Sequence, residues 1–170
     1  MTEGLIGLGV IGYGMAGNLR KRPGSDIILH IYDIALAVSH RLVDEFGSYG
    51  KIEVSESPLG LANKCKTAIS SLPMGKHVRD VYTTGDYCVL KAEKNTDHLI
   101  IDCSTIEIEF TRDMCNTIID AGVGTFVDAT VSGGVRGATH ATLTFMVGHA
   151  RTAKIDVMGN CVWDILSIVG

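Results

Sequence analysis

The sequence predicts an α/β domain built on a doubly wound, mostly parallel sheet with helices on both faces. Short apolar runs alternate with segments of helical periodicity along nearly the whole chain. Strands that alternate with helices pair in parallel, because each crossover helix returns the chain to the same end of the sheet. The runs are almost continuous in Ile, Leu and Val, as strands covered on both faces require. The chain has 170 residues, the length of one domain, and can bury roughly 70% of its unfolded surface without staples.

Gly4-Leu5-Ile6-Gly7 opens the first strand, and Gly12 to Arg22 reads as a helix broken by Pro23-Gly24-Ser25. Ile27 to Tyr32 is a second strand rich in β-branched residues. Ala35 to Phe46 carries Val38, Leu42, Val43 and Phe46 near helical spacing and stops at Gly47. Ile52–Val54 is a brief strand, followed by a short helical piece around Pro58–Asn63. Thr67-Ala68-Ile69-Ser70-Ser71 reads as a buried strand closed by Leu72-Pro73, and His77–Tyr82 as helix. Thr83–Thr96 is polar and carries no clear pattern. Leu99–Asp102 is a strand, Ile106–Ala121 a helix and Gly122–Gly124 a turn. Thr125–Asp128 and Leu143–Val147 are two further strands around a glycine-rich loop. Neither an internal repeat nor a low-complexity linker is visible.

Composition removes several functions. Fifteen basic residues against nineteen acidic ones give a net charge of −4, which excludes a phosphate-backbone footprint and hence a nucleic-acid partner. No apolar run reaches the length of a membrane span, and the N-terminus has neither the basic start nor the apolar stretch of a secretory signal. Cys65, Cys88, Cys103, Cys115 and Cys161 are odd in number, widely spaced and free of any Cys-x-x-Cys pair. That pattern argues against disulfides and metal, and suits a reducing, cytoplasmic setting.

Twenty glycines are the one excess, so their positions carry the information. Gly7-Leu8-Gly9-Val10-Ile11-Gly12 matches G-x-G-x-x-G where a strand ends and a helix begins, the context of a dinucleotide fingerprint in a Rossmann-like fold. Gly7 serves the tight turn, Gly9 the approach of a pyrophosphate, and Gly12 the packing of helix on sheet. Val10 and Ile11 belong to the same cofactor-binding set, since the first helical turn offers free N–H groups and a positive dipole end. Asp33 follows the second strand, 21 residues past Gly12. A carboxylate there accepts ribose hydroxyls and repels a 2′-phosphate. Ile34-Ala35-Leu36 supplies no cation and Arg41 lies two helical turns on, so NAD is expected over NADP. The bland alternative is an ordinary turn with Asp33 as a helix cap. An S-adenosylmethionine site would want different glycine spacing and a downstream acceptor motif, and neither is present.

Further stretches resemble the β-hydroxyacid dehydrogenases, the 3-hydroxyisobutyrate and 6-phosphogluconate dehydrogenase type. They are Gly14-Met15-Ala16-Gly17-Asn18-Leu19, Leu72-Pro73, Asp128-Ala129-Thr130-Val131-Ser132-Gly133-Gly134, Gly137-Ala138 and Thr142 to Gly148. The resemblance runs from Leu5 to Gly148. It implies hydride transfer between a β-hydroxyacid and a nicotinamide cofactor. Leu72 and Pro73 would flank that cofactor, Thr105 would reach toward the nicotinamide, and Ser132, Gly133 and Gly134 would bind the substrate carboxylate. Glycines suit that last role because they let a carboxylate approach the backbone. Ile11, Glu107, Thr130, Ala141 and His149 depart from the family pattern.

The resemblance also implies a catalytic lysine in Gly-x-x-x-Lys-x-x-Asn on the first helix of a second, all-helical domain. None of the lysines at 21, 51, 64, 66, 76, 91, 94 and 154 has those neighbours. The expectation is therefore one dinucleotide-binding domain over residues 1–170, without the helical domain, in which no catalytic residue is identified. It would bind cofactor and be impaired in turnover, a proton-handling group alone being worth about 10²–10⁴ in rate. The alternatives are a non-catalytic NAD-binding module and a truncated gene product. His30 and His98 read as structural, His140 as a surface imidazole, and Tyr82, Tyr87 and Trp163 as packing residues. The apolar segment Val157-Met158 and Val162–Val169 is expected either to self-associate or to be one more sheet strand, covered by the domain's own helices.

Overall fold

The computed structural model describes residues 2–22, 26–148 and 165–169. Seven strands are present among them: β1 (Thr2–Ile6), β2 (Ile28–Tyr32), β3 (Ile52–Val54), β4 (Thr67–Ser70), β5 (Leu99–Asp102), β6 (Thr125–Ser132) and β7 (Thr144–Val147). They form one sheet in the order β3-β2-β1-β4-β5-β6-β7. All pairs are parallel except β6 with β7. The helices are α1 (Val10–Lys21), α2 (Leu36–Phe46), α3 (Pro58–Ala62), α4 (Gly75–Tyr82), α5 (Ile108–Ala121) and α6 (Gly134–His140). The expected α/β, Rossmann-like class is the one observed.

The sheet is covered on both faces, and its strands split accordingly. Leu5, Ile69, Ile101 and Val127 point into one core with Met15, Leu19, Leu42 and Phe46 of α1 and α2. Their neighbours Ile6, Ala68, Ile100 and Phe126 point into the other core with Leu61, Val78, Met114 and Ile118 of α3, α4 and α5. Successive strand residues face opposite sides, so continuous apolar runs build two cores at once. Each fully buried Leu or Ile contributes about 1.5–3 kcal/mol relative to exposure.

The region after Asp128 differs from the sequence reading. The strand continues four residues further, because Ala129 to Ser132 pair antiparallel with Thr144 to Val147. The glycine-rich stretch behind it is helix rather than loop. Its glycines make α6 a weak helix by propensity, and packing on α1 overrides that. Gly14 lets α1 approach so closely that a Cβ there would meet Ala138 at 2.8 Å, and Asn18 Nδ2 donates to the Ala138 carbonyl at 2.7 Å. The stretch 83–96, unreadable in sequence, contains a 3₁₀ turn at Val89–Lys91.

The C-terminal expectation is answered in part. Residues 165–169 form a helical turn, and Ile165, Leu166 and Val169 are buried in the core that α1 and α2 share. That part of the apolar segment is covered by the domain itself and is helix, not strand. Pro23 to Ser25, His149, Lys154, Val157, Met158, Cys161, Val162 and Trp163 lie outside the described residues. Tyr87, expected to pack, is 69% exposed. His30 and His98 are buried, and His140 is exposed.

Candidate functional site

Five of the segments singled out in the sequence follow the carboxyl ends of parallel strands: Gly7 after β1, Asp33 after β2, Leu72 after β4, Thr105 after β5 and Gly133 after β6. The strand order reverses between β1 and β4, and such a switch point leaves a crevice between loops that diverge to opposite faces. A cleft of about 520 Å³ occupies it. Gly7, Gly9, Val10, Ile11, Asp33, Leu72 and Pro73 all line it. Gly12 lies behind the wall, buried in α1.

The three fingerprint glycines have different causes. Gly7 has φ +88°, and a Cβ on it would collide with the Ser71 carbonyl oxygen. A Cβ on Gly12 would collide with the Gly7 carbonyl oxygen. Both positions are therefore demanded by the fold. A Cβ on Gly9 would meet nothing within 4 Å, and its φ of −63° suits any residue. The fold does not need glycine there, although the position opens directly onto the cleft.

Gly9 is also the N-cap of α1 and provides no side-chain cap, and the first turn contains no acidic residue. The earliest intrahelical bond among these residues runs from Tyr13 N–H to the Gly9 carbonyl at 2.8 Å. The first-turn N–H groups and the positive dipole end thus present themselves to an anion at the cleft.

Asp33 is held from both sides. Leu8 N–H donates to Oδ2 at 2.6 Å and Ala35 N–H to Oδ1 at 2.8 Å. The helix-cap reading of Asp33 is thus half of the story, since one oxygen binds at the start of the α2 segment and the other fixes the glycine turn. Each carboxylate oxygen keeps a second lone pair, free for hydroxyls. Gly7 N–H donates to the Tyr32 carbonyl at 2.9 Å and completes the tie between the turn and β2.

One wall was missed in the sequence. His77, Asp80 and Val81 of α4 line the cleft as well. Their i, i+3, i+4 spacing downstream of Leu72-Pro73 was the available signal. His77 Nδ1 is buried and has no hydrogen-bond partner among the described residues.

Beneath the cleft floor the ends of β4 and β5 share a buried polar network. Asp102 Oδ1 accepts from Ser70 Oγ at 2.6 Å, from Ser104 Oγ at 2.6 Å and from Ser104 N–H at 3.2 Å. Tyr82 OH lies 2.7 Å from Ser70 Oγ, and because Ser70 gives its proton to Asp102, Tyr82 is the donor. Leu72 N–H donates to Ser104 Oγ at 2.9 Å. Burial pushes the Asp102 carboxyl above its usual range, opposed by the Ser104 and Ser70 hydrogen bonds and reinforced by Asp128 alongside it in register. The neighbouring Cys103 thiol is pushed well up by complete burial, so it is inert.

Thr105 and Ser132 to Gly134 do not line the cleft. Thr105 is exposed in the loop after β5, and Ser132, Gly133 and Gly134 are exposed where β6 turns into α6. Gly133 and Gly134 have φ of +133° and +62°, conformations that favour glycine. Gly133 borders a separate concavity of about 300 Å³ with Arg136, Gly137, His140 and Thr142. No group of His, Cys, Asp and Glu able to hold a metal occurs among the described residues.

Residues 2–160 match the family described as the NAD binding domain of 6-phosphogluconate dehydrogenase. The chain belongs to this family. Among curated relatives, mouse mitochondrial 3-hydroxyisobutyrate dehydrogenase is 37% identical over 145 residues, covering 85% of this chain and 40% of that protein. The 3-hydroxyisobutyrate dehydrogenase of Pseudomonas aeruginosa is 35% identical over 149 residues, covering 87% and 46%. The solved Mycobacterium tuberculosis 3-hydroxyisobutyrate dehydrogenase with L-serine superimposes with a TM-score of 0.80 at 28% identity, over 99% of this chain and 52% of that one. The chain is an NAD-binding domain of the 3-hydroxyisobutyrate dehydrogenase type, and it spans less than half the length of these two curated relatives.

Proposed function

We propose that this domain serves an oxidoreductase that moves hydride between a β-hydroxyacid and NAD. Gly9 carries the reading: it is the fingerprint glycine the fold does not require, and it sits where a diphosphate would press against backbone. The first turn of α1, with Val10 and Ile11, holds the diphosphate; Asp33 holds the adenosine ribose; Leu72 and Pro73 flank the dinucleotide. Thr105 stands at the nicotinamide end, and Ser132, Gly133 and Gly134 receive the substrate carboxylate. Bound NAD supplies the hydride acceptor. The residues of this chain bind and orient, and the sequence holds no lysine in the neighbourhood that the family's proton-handling group needs.

NAD is favoured over NADP because the cleft presents Asp33 and Ile34, not a cation, beside the ribose. Calorimetric titration with both cofactors tests this, and tighter binding of NADP would refute it. Association through apolar residues that precede 165 is proposed as well, with a clean monomer by light scattering as the refuting result. No described helix is long and apolar enough to cross a membrane. The free cysteines at 65, 88, 103 and 115 support a reducing, cytoplasmic setting; the mouse relative is mitochondrial, and cell fractionation decides between the two.

A further inference from the structure

The buried network below the cleft has an arrangement that packing alone does not require. A carboxylate at the end of a central strand is costly to bury unless its charge is met by donors, and Asp102 is fully buried. Its donors come from two separate chain segments, Ser70 on β4, 32 residues before Asp102, and Ser104 just after β5. The hydroxyls are polarised in one direction. Ser104 gives its proton to Asp102, so its lone pair is turned outward, and Leu72 N–H takes it. Leu72 lines the cleft; Ser104 precedes Thr105 in the next loop. The single Ser104 hydroxyl thus joins the two loops that rise on either side of the β4–β5 boundary. The bond from Leu72 N–H to Ser104 Oγ is between neutral groups. The hydroxyl that accepts it is itself held by a charge-assisted bond to Asp102, one of the stronger kinds, so the tie between the loops is oriented before any ligand arrives.

We propose that Ser104, oriented by the Asp102 carboxylate, is a positioning residue for cofactor binding: it holds the Leu72-Pro73 turn against the Ser104-Thr105 loop and so keeps the dinucleotide cleft preformed. This rests on the reading of the cleft as the NAD site. Neither Ser104 nor Asp102 lines the cleft, so neither touches the cofactor. The gain is preorganisation, since a loop already ordered loses less entropy on binding.

The test compares Ser104→Ala with Tyr82→Phe, each of which removes one hydroxyl from the same buried network. Tyr82 is attached to Ser70 and not to either loop. NADH affinity is read by fluorescence titration, and stability by urea unfolding. Ser104→Ala is expected to bind NADH about 3- to 10-fold more weakly, as the loss of one hydrogen bond implies. Tyr82→Phe is expected to show a similar stability loss with affinity within twofold of the parent. Unchanged affinity in Ser104→Ala, or an equal loss in Tyr82→Phe, overturns the proposal while leaving the NAD reading intact. Failure of the parent chain to bind NADH overturns both. Should Ser104→Ala not fold, hydrogen exchange of the parent decides: a Leu72 amide slowed by its bond to Ser104 supports the tie, and exchange at the rate of a free loop amide overturns it.

Discussion

Replacing Gly9 and Gly12 by alanine, one at a time, separates what the fold demands from what the ligand demands. At Gly9 the backbone has φ −63° and ψ −176°, a conformation alanine adopts without strain, and the new Cβ meets nothing within 4 Å. Restricting the unfolded chain stabilises by about 0.4–1 kcal/mol. Alanine is a poorer N-cap than glycine, by about 0.5–1 kcal/mol. The two nearly cancel, so Gly9→Ala is expected to unfold within about 2 °C of the parent, given about 2–4 °C per kcal/mol for a domain of this size. Its NAD affinity is another matter. A methyl group between diphosphate and backbone breaks at least one charge-assisted N–H contact, worth about 1.5–3 kcal/mol, or roughly 10- to 100-fold in Kd. Gly12→Ala inverts the pattern. Its Cβ collides with the backbone carbonyl of Gly7, which has no rotamer to escape into, and the cost is about 3 kcal/mol or more. Thermal unfolding and calorimetric titration of both variants decide the matter. A Gly9→Ala domain that binds NAD like the parent would refute the placement of the diphosphate. One that unfolds as early as Gly12→Ala would refute the division of roles.

Asp33→Ala removes the acceptor of Leu8 N–H and Ala35 N–H, costing about 1–3 kcal/mol of stability. The preference for NAD over NADP should fall at least about tenfold; an unchanged ratio in paired titrations counts against Asp33 as the ribose ligand. Stability should also decline on acidification through His98. Burial depresses its pKa, against the pull of the Val123 carbonyl, and its Nε2 is buried without a partner. The unfolded chain therefore takes up the proton first, near its ordinary pKa of about 6.5. The stabilisation is intact above that value and erodes as the pH falls toward the lower folded-state pKa. Urea midpoints at pH 7.5 and about 5.5 should differ less in His98→Gln than in the parent; an equal difference rejects this cause. Finally, the 170-residue chain on its own should turn over 3-hydroxyisobutyrate far below the roughly 10 s⁻¹ typical of enzymes, and a rate near that value would overturn the reading.

The sequence by itself determined the layers and the entrance to the site. Continuous apolar runs such as Leu99-Ile100-Ile101 announce a sheet covered on both faces, because alternate side chains are buried in two cores and polar groups such as Asp102 are left to the strand ends. Gly7, Gly12 and Asp33 are legible because their constraints are local: a positive φ, a close helix–turn contact, an acid at a strand end. Tertiary structure alone decided the rest. β6 runs on to Ser132 only because β7 returns to pair with it, and α6 forms only because Gly14 and Asn18 on α1 receive it. The Leu8–Asp33 bond spans 25 residues and the Ser70–Asp102 bond spans 32. Hydrogen bonds of that reach leave no periodicity in a sequence, since each depends on a donor and an acceptor that only the assembled sheet brings within 3 Å.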